Sequence, residues 1–533
     1  RSSAASDVYK RQTTGGAQIV LSDASQLTLN GNNDAVHIGN ADLITVNGGG
    51  STLLAEGSAS YITANGDKEV AIVKGVNNTI TLNGAKAVVT VVGNNNMLTA
   101  NGPSTWIQMQ GENDDIVANG PGDIVLLQGE NSKLTIGDGT VAVSDDTQAT
   151  LSGVDDSVTL GNRDNDTING GDFVINLTGQ QSTVVANGDR EVVTVKGNQN
   201  TFTTNGGHSF NVVSGNNDSI TANGDMNNID IHGQQNVIYA NGSGDEISLD
   251  GSQDDLHTSG NAVSVKNNTQ AWLNGGGNKV VLSDNDNISI NGSGYSLNFN
   301  GAGSSASLQG DWSNITLNGS GNTFTANGNS DSIQMNGNGN NVSVNGTGGE
   351  VSLTGTGQTV VMENGSVTAA ADAQLILQGH GNIVTAGKVA NVEVDGGDNW
   401  VNAQSTDTVL LKGSENGVGF NGNGGQLTVD GNGQYALMNS GNAVLEAGAS
   451  LNLSGNNNTV TAASNGSLDI SGTGNVLQMT SSSLTLDSVS SNSNVNSGFQ
   501  VKGFGFTSSA NGQYANASES VSYTHLTLPT SYS

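Results

Sequence analysis

The chain alternates apolar and polar residues in stretches of four, and each stretch ends at a polar residue followed by glycine. Ile62-Thr63-Ala64-Asn65-Gly66, for example, is followed by Ala71-Ile72-Val73-Lys74-Gly75 and then by Ile80-Thr81-Leu82-Asn83-Gly84. Alternation with a period of two predicts a short β-strand with one buried face. Glycine and the polar residues after it predict a tight turn, because glycine and asparagine adopt positive φ at little cost.

Glycine recurs every nine residues, with eleven consecutive members from Gly39 to Gly129, twelve from Gly161 to Gly260 and eight from Gly292 to Gly355. The residue before glycine alternates between asparagine and other types, so the chemical period is 18 residues. Two unlike strands therefore make one coil. We predict an all-β fold, a parallel β-solenoid of the two-sheet β-roll type, whose 18-residue coils each contain two nine-residue half-repeats.

A longer period divides the repeat region into modules. A shift of 122 residues aligns Asn65-Gly66-Asp67-Lys68-Glu69-Val70 with Asn187-Gly188-Asp189-Arg190-Glu191-Val192. We expect one continuous solenoid over residues 13–480. Its modules are expected at about 21–142, 143–264, 265–368 and 369–480. The glycine register slips from 129 to 161, from 260 to 292 and again beyond 355, and we expect a bulge or loop at each slip rather than a domain boundary.

Both ends of the chain resemble translated sequencing-adapter DNA. Residues 7–12 read as one translation of a transposon end, and residues 521–526 read as a translation of its reverse complement. We therefore predict that residues 1–12 and 521–533 are adapter read-through and that the chain is a fragment of a larger protein. Residues 481–520 are rich in serine and asparagine and are expected to be a linker or a truncated segment.

Composition indicates a thin core and narrows the choice of partners. Only 34% of the 533 residues are hydrophobic and 77 are glycine, too few apolar side chains for several thick globular cores. The formal net charge of −32 repels nucleic acid and anionic membranes, so we expect neither nucleic-acid binding nor membrane insertion. The chain has no cysteine, which excludes disulfides and thiolate metal sites.

The nine-residue rhythm and the glycine-rich turns resemble the RTX, or haemolysin-type, calcium-binding repeats of large bacterial secreted or surface proteins. In the best matches, such as Gly251-Ser252-Gln253-Asp254-Asp255-Leu256, an aspartate stands two residues before an inward apolar residue. The resemblance implies a secreted or cell-surface location and calcium bound in the turns, although no cofactor is expected to be required. The aspartates implied as calcium ligands are Asp34, Asp114, Asp218 and Asp254.

The sequence also departs from the RTX pattern. Paired glycines are mostly missing, and asparagine often replaces the aspartate, as in the column Asn78, Asn96, Asp114. Carboxylates stacked about 4.8 Å apart repel each other, and interleaved asparagine removes the repulsion because amides hydrogen-bond along a stack. We therefore favour a ladder of asparagine and aspartate over dense calcium loading, and this ladder is compatible with scattered weak calcium sites in the turns.

The sequence offers little support for catalysis, and we predict a non-enzymatic protein. Its histidines are isolated, and acid pairs such as Asp145-Asp146 recur with the repeat, whereas catalytic residues occur once. The histidines outside the end segments are His37, His208, His232, His257 and His380. The main hypothesis is an extracellular structural or adhesive repeat region whose partner is an extracellular surface, a glycan or a matrix. A carbohydrate-active β-helix enzyme is the least favoured alternative.

A column of threonine supports a further alternative, an ice-binding β-solenoid with a flat Thr-x-Asn face. The threonines at the second position of the asparagine-ending stretches include Thr45, Thr63, Thr81, Thr99, Thr203 and Thr221. Val117, Val185 and Tyr239 interrupt the column, and threonine is in any case favoured at exposed strand positions.

Overall fold

The computed structural model is a parallel β-solenoid of about 26 turns, with two parallel sheets and an 18-residue coil repeat. This confirms the predicted fold class. The structure describes residues 9–12, 15–479, 484–490 and 500–502. Within these ranges no helix is long and apolar enough to cross a membrane.

The chain forms two compact units. Unit 1 contains Arg1–Ser264 and Thr269–Asn274, and unit 2 contains Val265–Asn268 and Gly275–Ser533. In each unit the odd-numbered strands form one parallel sheet, sheet A, and the even-numbered strands form the other, sheet B.

The strands are short, and most contain four or five residues. The first 31 strands, in chain order, are β1 (Tyr9–Gln12), β2 (Gln18–Val20), β3 (Gln26–Leu29), β4 (Ala35–Ile38), β5 (Leu43–Val46), β6 (Thr52–Ala55), β7 (Tyr61–Ala64), β8 (Val70–Lys74), β9 (Thr79–Leu82), β10 (Val88–Val92), β11 (Met97–Ala100), β12 (Trp106–Gln110), β13 (Asp115–Ala118), β14 (Ile124–Gln128), β15 (Ser132–Gly137), β16 (Thr140–Val143), β17 (Gln148–Val154), β18 (Ser157–Leu160), β19 (Asn165–Asn169), β20 (Val174–Leu177), β21 (Thr183–Ala186), β22 (Val192–Val195), β23 (Thr201–Thr204), β24 (Phe210–Val213), β25 (Ser219–Ala222), β26 (Asn228–Ile231), β27 (Val237–Ala240), β28 (Glu246–Leu249), β29 (Ser252–Thr258), β30 (Ala262–Val265) and β31 (Gln270–Asn274).

The strands of unit 2 continue the same pattern. They are β32 (Lys279–Leu282), β33 (Asn287–Asn291), β34 (Ser296–Phe299), β35 (Ser305–Gln309), β36 (Asn314–Leu317), β37 (Thr323–Ala326), β38 (Ser332–Met335), β39 (Asn341–Val344), β40 (Glu350–Leu353), β41 (Gln358–Met362), β42 (Ser366–Ala369), β43 (Gln374–His380), β44 (Ile383–Ala386), β45 (Asn391–Gly397), β46 (Trp400–Gln404), β47 (Thr408–Ser414), β48 (Gly417–Asn423), β49 (Gln426–Asn432), β50 (Gln434–Asn439), β51 (Asn442–Leu445), β52 (Ser450–Ser454), β53 (Thr459–Ala462), β54 (Gly466–Ser471), β55 (Val476–Met479), β56 (Leu484–Ser490) and β57 (Gln500–Lys502).

The nine-residue half-repeat places two apolar side chains inside each strand. In β9, Ile80 and Leu82 are buried, whereas Thr79 and Thr81 face outward and are partly exposed. Equivalent residues of successive coils lie beside one another, so Ile80 pairs with Ile62 of the coil before and with Leu98 of the coil after. The core is therefore a set of narrow aliphatic columns, whose stability grows by adding coils rather than by thickening.

The glycine-register slips have two different structures. At the first slip Ile124 pairs with Thr140, only 16 residues later, and the pairing of β14 with β16 is regular. This slip is a shortened coil, not the expected bulge. At the second slip the pairing of β29 with β31 shifts register between Ser252 and Asp254, as expected for a bulge.

Close stacking of the turns, rather than a special φ, is the reason for most of the repeated glycines. A Cβ atom added to Gly84 would lie 1.9 Å from the carbonyl oxygen of Gly66 in the preceding coil. The left-handed position of the turns lies two residues after the repeated glycine and is filled in many turns by residues such as Asn77 and Lys86, with φ of 59° and 58°, and in others by a further glycine such as Gly122. Asparagine is common there because it tolerates this conformation.

The predicted end segments are described only in part. Tyr9–Gln12 forms β1 and pairs in parallel with Gln26–Leu29, and its origin as adapter sequence stays a prediction. Strands β56 and β57 lie within residues 481–520, the expected linker. Residues 521–533, the second predicted adapter segment, lie outside the described residues.

Gly84→Ala should destabilise the protein by about 1–3 kcal/mol, because the added methyl group overlaps the backbone of the neighbouring coil. Urea unfolding followed by circular dichroism measures the change. Gly137→Ala is the matched control, since a Cβ atom at Gly137 meets no atom within 4 Å. Equal stability of the two variants would contradict the stacking argument.

Candidate functional site

A buried polar column runs along the turns that lead into sheet A. In the first coils its members are Ser25, Asp42, Ser60, Asn78, Asn96, Asp114 and Ser132. Each side-chain oxygen accepts a hydrogen bond from the backbone N–H of the member one coil earlier. Asn96 accepts from Asn78 at 2.9 Å, and Asp114 accepts from Asn96 at 2.7 Å. These bonds tie each turn to the next and satisfy backbone groups that are shielded from water.

Asn96 has partners for both ends of its amide in this column, whereas ionised Asp114 lacks a partner for one of its oxygens. The Asn96 Nδ2 group also donates to the carbonyl oxygens of Gly75 and Gly93, at 3.1 and 2.8 Å. In Asp114 the corresponding atom, Oδ2, lies beside Gly111 and has no hydrogen-bond donor in the described part of the chain. Burial raises the pKa of Asp114 to about 6, because the charged form loses its hydration.

The four aspartates predicted as calcium ligands all lie in such buried columns. Asp114 and Asp218 precede strands of sheet A, Asp254 lies within β29 of the same sheet, and Asp34 precedes β4 of sheet B. Each is at most 1% exposed, and one oxygen of each accepts a backbone N–H from the coil before at 2.7–2.8 Å. The column of Asn200, Asp218, Asn236 and Asp254 is hydrogen-bonded in the predicted order.

The structure does not assemble these residues into a cluster of several carboxylates that could surround a calcium ion. Calcium takes six to eight oxygen ligands at about 2.3–2.6 Å. Among the described residues, no group of three histidine, cysteine, aspartate or glutamate side chains is placed to hold a metal ion. The column neighbours of Asp114 are Asn96 and Ser132, so the structure does not bring the four aspartates together. Calcium binding at these positions stays a prediction.

Several further buried acids were missed by the sequence analysis, and three of them have the most strongly raised pKa values. Burial raises the pKa of Glu69 to about 7 and the pKa values of Glu191 and Asp166 to about 8. Asp166 lies on the inward face of β19, where the next coil has Val184. Its signal in the sequence is an aspartate that occupies an apolar place in the alternation before Ile168.

A second ladder, on the surface, is formed by the asparagines that precede glycine. Asn65 Nδ2 donates to Asn47 Oδ1 at 2.7 Å, and Asn83 donates to Asn65 at 2.6 Å. The ladder continues to Asn119, and a second one runs from Asn169 to Asn241. The 18-residue alternation of asparagine in the sequence is the signal for these ladders.

The threonine column is present on the outer face of sheet A. Its consecutive members in unit 1 are Thr28, Thr45, Thr63, Thr81 and Thr99, and Thr203 pairs with Thr221 further along. The neighbouring outward column contains Leu43, Tyr61 and Met97, which are 46%, 59% and 48% exposed. Large side chains of different shape therefore project beside the threonines.

The described histidines occupy separate surface positions. His37 lies 3.1 Å from Glu56, and His232 lies 2.9 Å from Asp230. His257 stacks on Tyr239 with ring centroids 4.6 Å apart. Exposed polar contacts of this kind contribute little to stability, and the non-enzymatic character of the chain stays a prediction.

No protein-family model matches the chain, and no curated protein matches it. The resemblance to RTX repeats is therefore supported at the level of architecture alone, a repeat β-solenoid with 18-residue coils. The fold is that of a repeat β-solenoid, and in this chain ladders of polar side chains join successive coils.

Asp114→Asn should raise the free energy of unfolding at about pH 8 by roughly 1–3 kcal/mol, because the new amide donates where the carboxylate has no partner. The raised pKa means that the folded protein holds a proton that the unfolded chain releases. The stability contributed by protonated Asp114 is fully present below the unfolded value near 3.8 and is lost as pH rises through about 6. The gain from the substitution should therefore shrink toward pH 4, as measured by urea unfolding across this pH range.

Asp115→Asn is the matched control, because Asp115 is the exposed neighbour at the start of β13. It should leave the unfolding midpoint nearly unchanged at both pH values. If Asp114→Asn were less stable than the parent at pH 8, the explanation that burial disfavours the charged carboxylate of Asp114 would be ruled out.

Proposed function

We propose that this chain is a non-enzymatic, extracellular structural and adhesive repeat region of a bacterial secreted or surface protein. The repeat β-solenoid fold is consistent with a structural repeat region. The observation that carries the proposal is the continuity of the ladders, in which the same turn position of each coil bonds to the next. A structure that repeats one set of contacts suits length and many weak attachments rather than one specific pocket.

Calcium is not needed in this proposal to hold the coils together. Side-chain oxygens already accept the backbone N–H groups of the buried turns, and asparagine and serine separate the carboxylates. The relation to the RTX repeats is then one of rhythm and coil geometry. The surface charge of the acidic chain also favours solubility and keeps copies apart.

Unfolding by heat should give the same midpoint in calcium and in a chelator when ionic strength is matched, because hydrogen bonds rather than ions join the turns. Circular dichroism measures both the fold and the midpoint. Sodium chloride and magnesium serve as controls for general screening of the net charge of −32. A chain that folds only when calcium is added would refute the metal-free part of the proposal.

Ice binding is the second candidate function, and the in-register threonine column is the observation that favours it. The projecting Tyr61 and Met97 side chains beside this column work against a flat binding face. We therefore expect no inhibition of ice recrystallisation by the parent chain. Inhibition that is lost in Thr81→Tyr, but kept in a substitution of Thr194 on sheet B, would establish this candidate instead.

A further inference from the structure

The outer face of sheet B in unit 2 carries an aromatic shelf formed by Trp400 and Tyr435. The two residues occupy one outward column, in which Trp400 pairs with Gly417 and Gly417 pairs with Tyr435. Their ring centroids are 6.1 Å apart, and the ring planes differ by 33°. The shelf therefore extends across three successive coils.

Two glycines in the intervening strand form a seat for the indole ring. A Cβ atom added to Gly417 would lie 2.4 Å from Cε3 of Trp400, and one added to Gly419 would lie 3.2 Å from Cζ2. Both ends of the ring thus lie over the backbone of β48, so the ring is laid along the sheet. Among the strands that the structure describes, only β48 has glycine at both outward positions.

A hydrogen bond fixes the orientation of the ring. Trp400 Nε1 donates to Asn402 Oδ1 at 2.9 Å, two residues along the same strand. The indole is consequently held at one face by the glycine seat and at its polar edge by an amide. An aromatic side chain that is fixed in this way loses little conformational freedom when a ligand stacks on its other face.

The strand positions around the shelf are uncharged, although the chain as a whole carries a formal charge of −32 and the turns before β46 and β48 contain the exposed Asp398 and Glu415. The outward positions of β44, β46, β48 and β50 contain no acidic or basic residue. Ile383 and Leu437 extend the apolar surface and are 53% and 39% exposed. Amide side chains, Asn402 and Gln404 on β46 and Asn421 on β48, provide hydrogen-bonding groups next to it.

We propose that this aromatic shelf binds a neutral polysaccharide, with the C–H face of a pyranose ring stacked on Trp400 and the neighbouring amides bonded to sugar hydroxyls. The proposal rests on the proposed adhesive function and names its partner. The face of an aromatic ring carries partial negative charge and attracts polarised C–H groups. A few polar groups beside an apolar surface fix a ligand's orientation. The charge of the chain opposes an anionic polysaccharide. A stable protein partner needs about 800 Å² of surface on each side, more than two rings supply.

Affinity electrophoresis of the full chain tests this inference, with hydroxyethyl cellulose, glucomannan and soluble starch as neutral probes and polygalacturonate as the anionic probe. At least one neutral probe should retard the parent, and polygalacturonate should not. Trp400→Ala should weaken the apparent affinity about tenfold, the effect of losing one aromatic stacking contact. Gly417→Val should weaken binding similarly, since it fills the seat and lifts the ring.

Trp312→Ala is the matched control, because Trp312 is a turn residue of unit 2 that is 72% exposed. It should bind like the parent, and thermal melts should show that all three variants remain folded. Retardation by polygalacturonate alone, no retardation by any neutral probe, or equal binding by Trp400→Ala and the parent would overturn the inference.

The proposed extracellular function is tested by a separate experiment, whose outcome does not depend on polysaccharide binding. An antibody against the chain should label intact, unpermeabilised cells of the source bacterium if the chain is extracellular. Labelling together with unchanged binding by Trp400→Ala overturns the shelf but leaves the extracellular structural role. Binding that depends on Trp400 without surface labelling overturns the extracellular role and supports the shelf.

Discussion

The hydrogen bond between a backbone N–H in one turn and a side-chain oxygen in the next coil is the interaction on which this solenoid depends. Strand pairing joins the coils at the sheets, but the turn residue before each strand is buried, and its N–H group needs an acceptor. Serine, asparagine and aspartate supply it in the column through Ser60, Asn78, Asn96 and Asp114. The requirement explains why a polar residue recurs at a position that otherwise belongs to the interior.

The buried turn position of this column also determines how much charge lies in the interior. Asn96 bonds with both ends of its amide, whereas Asp114 leaves one oxygen without a donor and is driven toward its neutral form by burial. Exposed acids in the outer turns behave in the opposite way. Hydrogen bonds from Asn162 lower the pKa of Asp145 at the surface. The large negative charge of the chain is therefore held mainly by groups that remain in water, while the columns inside favour neutral side chains.

The outer faces are where one coil differs from another, since the inward residues are constrained by stacking. The asparagine ladders and the threonine column repeat over several coils, and they add hydrogen bonding or strand propensity along the axis. The aromatic shelf at Trp400 occurs where the repeat is broken by the glycines of β48. The proposed polysaccharide contact therefore lies where the outward face departs from the repeat.

The sequence by itself determined the two-strand coil, because an apolar period of two and a glycine period of nine admit one stacked arrangement. It also predicted that Asn78, Asn96 and Asp114 form one column. It did not reveal that this column is buried. A polar turn residue before a strand is expected to be exposed, and here the neighbouring coils bury it. Only the tertiary structure decided the burial of Asp114 and the packing of Trp400 on Gly417. Both depend on atoms of the neighbouring coil, about 18 residues away. Sequence spacing shows which residues are neighbours but not how their side chains are oriented.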